Sequence, residues 1–490
     1  MKIRYIIAFL LLAPFASFAQ KSLEKADKAF AESEYSKAIE LYKSIFTKIM
    51  EDVDLKGRVA YNVGYSYRCL SKADLAELWL GKAVELQYKN PLSFLYYADA
   101  LRTNEKYDEA IEQYLNYKKA VPDDERAPAG LKSCRVAKKW KINPGKYKIV
   151  NNAFINSIYS DFSPIYLDSA QNKMLFSSSN GDSTSMINEA TNQPFTDLYI
   201  TTKDSSGAWS SPQLFDGFNT KADEGTPTIS SDFNEIFFTR CEFAEHKAAN
   251  CRIYTSSKAG DAWSQPIMMK ILSLRYDSFM VAHPAISPDG LKLYFVSNMP
   301  GGFGGYDIWY IERKTTTDKW SEPINVGDVI NTRGNEMYPY VRKDGVFYFS
   351  SDGHHGMGGL DMYRINKDPK GKDQIVNLMY PMNSSGDDFG IVFENGLERG
   401  FLSSNRKGSK GYDDIWQFSL PPLKFEIQGH VKDENMGTPI VGTKVKLIGN
   451  DGTSLEVETD VTGSYHFDLK PSTNYVLLVT QKGYLNGKAK

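Results

Sequence analysis

AHPAISPDGLKLYFVSN, residues 282–298, reads as strand, turn, strand, with Ser287-Pro288-Asp289-Gly290 breaking the chain between two apolar-rich runs. The same unit opens four more times: DFSPIYLDSAQNKMLFSSS from 161, EGTPTISSDFNEIFFTR from 224, EMYPYVRKDGVFYFSSD from 336 and DDFGIVFENGLERGFLSSN from 387. Pro164, Pro227, Pro284, Pro339 and Gly390 stand as equivalent points, at spacings of 63, 57, 55 and 51 residues. A third strand follows each opening (DLYIT, CRIYTS, DIWYIER, DMYRIN, DIWQFSL), and the first four units continue through a linker into a fourth. Four strands at this period make a propeller blade, so a five-bladed β-propeller is expected over 144–421.

The fifth unit runs from DIWQFSL into Leu420-Pro421-Pro422 and lacks a fourth strand of its own. YKIVNNAFINSIYSDF, ahead of the first unit, matches EPINVGDVINTRGNEMYP between units three and four, pairing Asn156-Ser157 with Asn331-Thr332 and Asp161 with Glu336. A strand near 147–155 is therefore expected to close the ring in blade five, removing the free edge. Trp209, Trp263 and Trp320, in AWSSP, AWSQP and KWSEP, are expected between neighbouring blades. The glycine-rich phrases GGFGGYDIW, GMGGLDMY and GSKGYDDIW lack the following helix and Lys-Ser or Lys-Thr pair of a phosphate loop. They read as tight turns in which Asp307, Asp361 and Asp414 accept from turn amides. No single loop shows the 6 to 8 oxygen ligands calcium takes.

Upstream, EYSKAIELYKSIF (34–46), KADLAELWLGKAVELQYKNP (72–91) and EKYDEAIEQYLNYKKAVP (105–122) repeat, with Ala38, Ala76 and Ala110 equivalent at steps of 38 and 34 residues. This is near the 34-residue period of tetratricopeptide helix pairs, so residues 20–143 are expected to form such an array. Small Ala residues let paired helices approach, and exposed polar positions would remain for a partner segment. The alternative is a plain helical spacer.

Lys2 and Arg4, the apolar run Ile6 to Phe15, and Ser17-Phe18-Ala19 have the layout of a cleavable export signal, expected over 1–19. The run is far short of the about 20 residues needed to cross a bilayer, so the mature chain is not expected to span a membrane. A net charge of −2 gives no footprint for nucleic acid. Of four cysteines, Cys241 and Cys251 flank EFAEHKAAN between two strand-like runs, where a hairpin could join them as a disulfide; two free thiols are the alternative. Zinc is disfavoured because His246 is the one other soft ligand nearby.

Residues 424–490 alternate apolar and polar positions around turns at Gly437-Thr438, Asn450-Asp451-Gly452 and Thr462-Gly463, the pattern of a small β-sandwich. The run Asp460 to Phe467 resembles the carboxypeptidase regulatory-like domain, which implies no peptidase activity. LNGKAK at the end shows no obvious final strand, and the natural sequence is expected to continue past Lys490.

The order of signal, tetratricopeptide repeats, TolB-like blades with SPDG and DIW phrases, and regulatory-like sandwich resembles the PorE family of the Bacteroidota type IX secretion system. The resemblance implies a periplasmic, non-enzymatic scaffold of the secretion and gliding machinery, associated with the outer membrane and cell wall, with a PorP-type outer-membrane barrel as partner. It implies peptidoglycan binding only through an OmpA-like domain, which is not among these residues, and no cofactor. Catalysis finds little support: there is no G-x-S-x-G elbow or H-E-x-x-H helix, and His246, His283, His354, His355, His430 and His466 lack metal spacing. His354-His355 reads as an exposed turn. A carboxylate pair of a propeller hydrolase stays formally open, as does a glycan or peptide held over the propeller channel.

Overall fold

The computed structural model describes residues 20–181, 186–188, 190–242, 250–260, 262–271, 279–422, 424–485 and 487–489. The export-signal reading lies outside the described residues. Two compact units divide near Leu420.

The first unit begins with seven helices: α1 (20–31), α2 (Tyr35–Phe46), α3 (Val53–Cys69), α4 (Ala73–Glu85), α5 (Leu92–Thr103), α6 (Tyr107–Ala120) and α7 (Arg126–Ile142). Ser33, Ser71 and Glu105 take positive φ in the turns between paired helices, an internal repeat the helical pattern alone does not disclose. Ala38, Ala76 and Ala110 are buried in the second helix of each pair. Close approach is literal at Gly130, where an added Cβ would lie 2.3 Å from the Tyr114 ring.

Among the described residues five antiparallel sheets of four or five strands follow, beside a two-stranded pair, Ile187–Asn188 with Gln193–Pro194. The first strands, Asp161–Tyr166, Asp223–Ile229, Val281–Ile286, Glu336–Val341 and Asp388–Phe393, each pair with a second, and that with a third. In the fifth sheet the outer strand is Lys148–Asn151, antiparallel to Asp414–Ser419 with Ile149 opposite Phe418. Each apolar cluster joins neighbouring sheets: Leu198 and Phe218 with Phe238, Ile253 with Phe295, Ile308 with Phe349, Met362 with Trp416, and Phe401 with Tyr166. The cycle from first to fifth and back to first is thus continuous. Trp209 meets Phe401 of the fifth sheet at 6.1 Å, and Trp263 and Trp320 likewise fill joints between sheets. Lys203, Lys258 and Arg313 cover their outer faces at 4.7, 5.9 and 4.1 Å.

One equivalence in the repeat is corrected. Ser163, Thr226, His283 and Tyr338, each just before its proline, have φ near +50°, and the residue matching them is Gly390, at φ +57°. Each sits where the register between first and second strands shifts. Ile391, not Gly390, therefore occupies the proline position. Both residue types interrupt a strand pattern, but for different reasons: proline removes a donor, glycine accepts the left-handed bulge.

The second unit pairs Phe425–His430 with Ser464–Leu469, and Lys444–Gly449 with both Ser454–Glu458 and Tyr475–Thr480. Ile427 and Phe467 of one sheet meet Val445, Leu447 and Leu477 of the other. The closing residues do form a strand, Gly487–Ala489, paired to Leu477–Val479, which corrects the reading of LNGKAK. Three residues are too few for an alternating pattern to register.

Candidate functional site: the cavity between helices and sheets

Within the first unit, α3, α5 and α7, each the first helix of its pair, look onto loops of the fourth and fifth sheets, among them those that join second and third strands. Met357, in GMGGLDMY, is buried among Leu95, Ala98, Leu101, Ala127, Leu131 and Cys134 of the helices. Ser133 Oγ accepts from the Gly356 amide at 3.1 Å, and Lys72 stands 4.0 Å over the Tyr412 ring. The expectation of an unoccupied helical binding face is corrected accordingly: the chain's own loops fill part of it.

The glycine-rich phrases make this possible. Asp361 accepts from the amides of Met357 at 2.6 Å and Gly358 at 3.0 Å; Asp307 does the same for Phe303 and Gly304, and Asp414 for Lys410 and Gly411. A Cβ on Gly358 would lie 2.0 Å from the carbonyl oxygen of Gly386, so the loops of adjacent sheets pack backbone to backbone. Asn325, Asn377 and Asn151, each in an outer strand, donate to Asp307, Asp361 and Asp414. A second clamp recurs four times, in which Asn156, Asn219, Asn331 and Asn383 hold both backbone groups of a third-strand residue. The Ser or Thr after each presents its amide to Asp161, Glu224, Glu336 or Asp388. The sequence match of Asn156-Ser157 with Asn331-Thr332 had found two of these four; Asn219-Thr220 and Asn383-Ser384 were legible by the same spacing.

Burial pushes the carboxyl groups of this end upward: Asp161 and Asp361 to about 6, Glu336 to about 7. Asp413 rises to about 7, through burial first and the charge of Asp387 second.

Between helices and loops lies a cavity of about 890 Å3. Arg68, Tyr96, Asp99, Arg102 and Lys132 line its helical wall; Arg333, Asp352, His354, His355 and Asp387 line the other. The histidine pair is half-buried rather than exposed: His354 Nε2 lies 2.8 Å from the Ile330 carbonyl oxygen, and its ring packs on Phe349 and Tyr363. Burial lowers both histidine pKa values. At the opposite end of the ring a funnel of about 280 Å3 is walled by prolines and by Tyr166, Tyr340 and Phe393, with His283 stacked on Tyr338 at 4.1 Å.

Cys241 and Cys251 face each other on adjacent strands and are bonded through sulfur; Cys69 and Cys134 are free. Among the described residues, one group has metal-ligand spacing, Glu426, His466 and Asp468 of the second unit, with ligand atoms within 4.8 Å of one another and all three exposed. No described helix is long and apolar enough to cross a membrane.

Residues 426–490 match the carboxypeptidase regulatory-like domain. No curated protein matches the chain by sequence. The helices are similar to the first TPR domain of the human RPAP3 protein, at 23% identity over 26% of this chain and 97% of that one, with a TM-score of 0.23. The sheets are similar to a family 117 glycoside hydrolase of the marine bacterium Zobellia galactanivorans, at 13% identity over 56% of this chain and 90% of that one, TM-score 0.36. They are also similar to an endo-arabinase from Bacteroides thetaiotaomicron, at 11% identity over 55% and 99%, TM-score 0.35.

Proposed function

We propose that the chain is a non-enzymatic periplasmic scaffold of the type IX secretion and gliding machinery, its sheets forming a five-bladed β-propeller and its second unit a regulatory-like β-sandwich. It would dock a PorP-type outer-membrane barrel and pass load toward the cell wall, with peptidoglycan contact left to an OmpA-like domain. The observation that carries this reading is the seating of Met357 in the helical core, which couples helices and ring into one body suited to bearing load. The use of the repeated carboxylates as backbone clamps points the same way, since those groups are committed to structure rather than presented to a substrate.

A second reading has one observation of its own. The aromatic and proline-lined funnel, close to the lower end of the about 300 to 1,000 Å3 of ligand sites, suits a small glycan or peptide. Capture of envelope proteins by the mature chain, paired with an assay for retention and cleavage of a panel of oligosaccharides, separates the readings. The scaffold reading expects a barrel captured and every glycan intact; glycan cleavage or retention without a captured envelope protein rejects it.

A further inference from the structure

The two-stranded sheet of the second unit turns a wholly polar face away from its core. Phe425–His430 runs antiparallel to Ser464–Leu469 with Glu426 opposite Asp468, Gln428 opposite His466 and His430 opposite Ser464. Successive side chains of a strand point to opposite faces, so these six share one face while Ile427 and Phe467 turn to the core. His466 Nε2 lies 3.0 Å from Glu426 Oε2 and 4.0 Å from Asp468 Oδ1. All three ligand atoms fall within 4.8 Å of one another. Zinc bonds of about 2.0 to 2.2 Å to nitrogen and oxygen place neighbouring donors of a tetrahedral ion about 3.3 to 3.6 Å apart. The two observed separations straddle that range, so side-chain rotation alone, with the backbone pairing kept, brings the three donors onto one ion.

The register of the two strands points to a cation independently. Glu426 and Asp468 stand directly opposite each other, where like charges repel. Among the described residues neither carboxylate has a Lys or Arg within ion-pair distance; their one partner is His466. Lys470, two residues beyond Asp468, is held by Asp451 at 3.0 Å. His430, the other imidazole of this face, has its Nδ1 2.9 Å from Ser464 Oγ. One imidazole with two carboxylates is a donor set for zinc and its transition-metal neighbours, whereas calcium takes 6 to 8 oxygens. From this register and these distances we infer that the outer face of the two-stranded sheet binds a zinc-class divalent ion through His466 Nε2, Glu426 and Asp468, with water in the fourth position. The inference rests on the second unit alone and is independent of the scaffold reading.

The test titrates ZnCl2 into the full chain, prepared without a polyhistidine tag, in competition with a chromophoric chelator. Zinc binding is expected to weaken at least about tenfold in His466→Gln and in Asp468→Asn, and to be unchanged in His430→Gln. Calcium at the same concentration is expected not to compete. Thermal scans supply a second readout. Zinc should raise the midpoint of the second unit in the wild type and not in Asp468→Asn, whereas without zinc Asp468→Asn should melt higher than the wild type because the like-charge pair is gone. Equal zinc affinity of wild type and His466→Gln, displacement of zinc by calcium, or no zinc binding at all overturns the inference.

Discussion

The backbone N–H of Asp161 donates to the carbonyl oxygen of Asp413 at 2.7 Å, tying the first strand of the first sheet to the residue that leads into the third strand of the fifth. The same bond links Glu224 to Thr196, Glu336 to Tyr306 and Asp388 to Leu360, so the closing joint is built like three of the internal ones. Beside it, Asn156 Oδ1 accepts from the Ile415 amide at 2.9 Å and its Nδ2 donates to the Ile415 carbonyl at 3.0 Å. Asn156→Ala leaves the Ile415 amide without this partner, while the Ile415 carbonyl keeps the Asn152 amide at 3.1 Å. A loss of about 1 to 3 kcal/mol is expected, read as a lower urea midpoint at unchanged m-value.

Met357 tests the coupling of helices to ring. Met357→Ala removes a buried side chain from the helical core and is expected to cost about 2 to 5 kcal/mol. Limited proteolysis should then cut near residues 143–147, ahead of the closing strand, sooner than in the wild type. An unchanged cleavage pattern would mean that the loop is not what holds the helices.

Glycine roles separate at two positions. Gly371, at φ +80° with nothing within 4 Å, suffers only backbone strain on substitution, so Gly371→Ala should cost about 1 to 2 kcal/mol. Gly358→Ala drives a Cβ into the Gly386 carbonyl and should cost more than Gly371→Ala, or abolish soluble expression. Comparing the two thermal midpoints checks this.

Asp413 gives the pH dependence a sign. Its carboxyl titrates near 7 in the fold, against about 4 unfolded, so between those values the folded state holds the extra proton. Its contribution is full at low pH and is lost as pH rises through 7. Asp413→Asn keeps an acceptor for Ser160 Oγ and cannot ionise. It should stabilise the chain at pH 8 by about 1 to 4 kcal/mol and make little difference at pH 4. The lowered histidines, His283, His354 and His355, act oppositely on acidification, but they are common to both proteins and cancel in the comparison.

Much of this architecture is readable from local pattern. Ala38, Ala76 and Ala110 repeat because helix pairs need small contacts at a fixed phase, and Asp307, Asp361 and Asp414 recur because each loop has the same amides to satisfy. Gly390 was misplaced by one residue because the bulge, a three-dimensional feature, decides which position needs positive φ. The cavity was not legible at all. Arg68 and Arg102 lie on helices and Arg333 on a loop more than two hundred residues away, and nothing in the spacing of either segment announces that they face one another. Met357 was equally hidden, since a methionine in a glycine-rich turn gives no sign that its partners are helices.

The central claim, that this body serves as a docking scaffold at the outer membrane, is tested most directly by cross-linking the full-length chain in living cells of a gliding Bacteroidota species and identifying the attached proteins. The account predicts a β-barrel outer-membrane protein cross-linked to the helical and ring unit. Cross-links confined to soluble periplasmic enzymes, or none with any envelope protein, would contradict it.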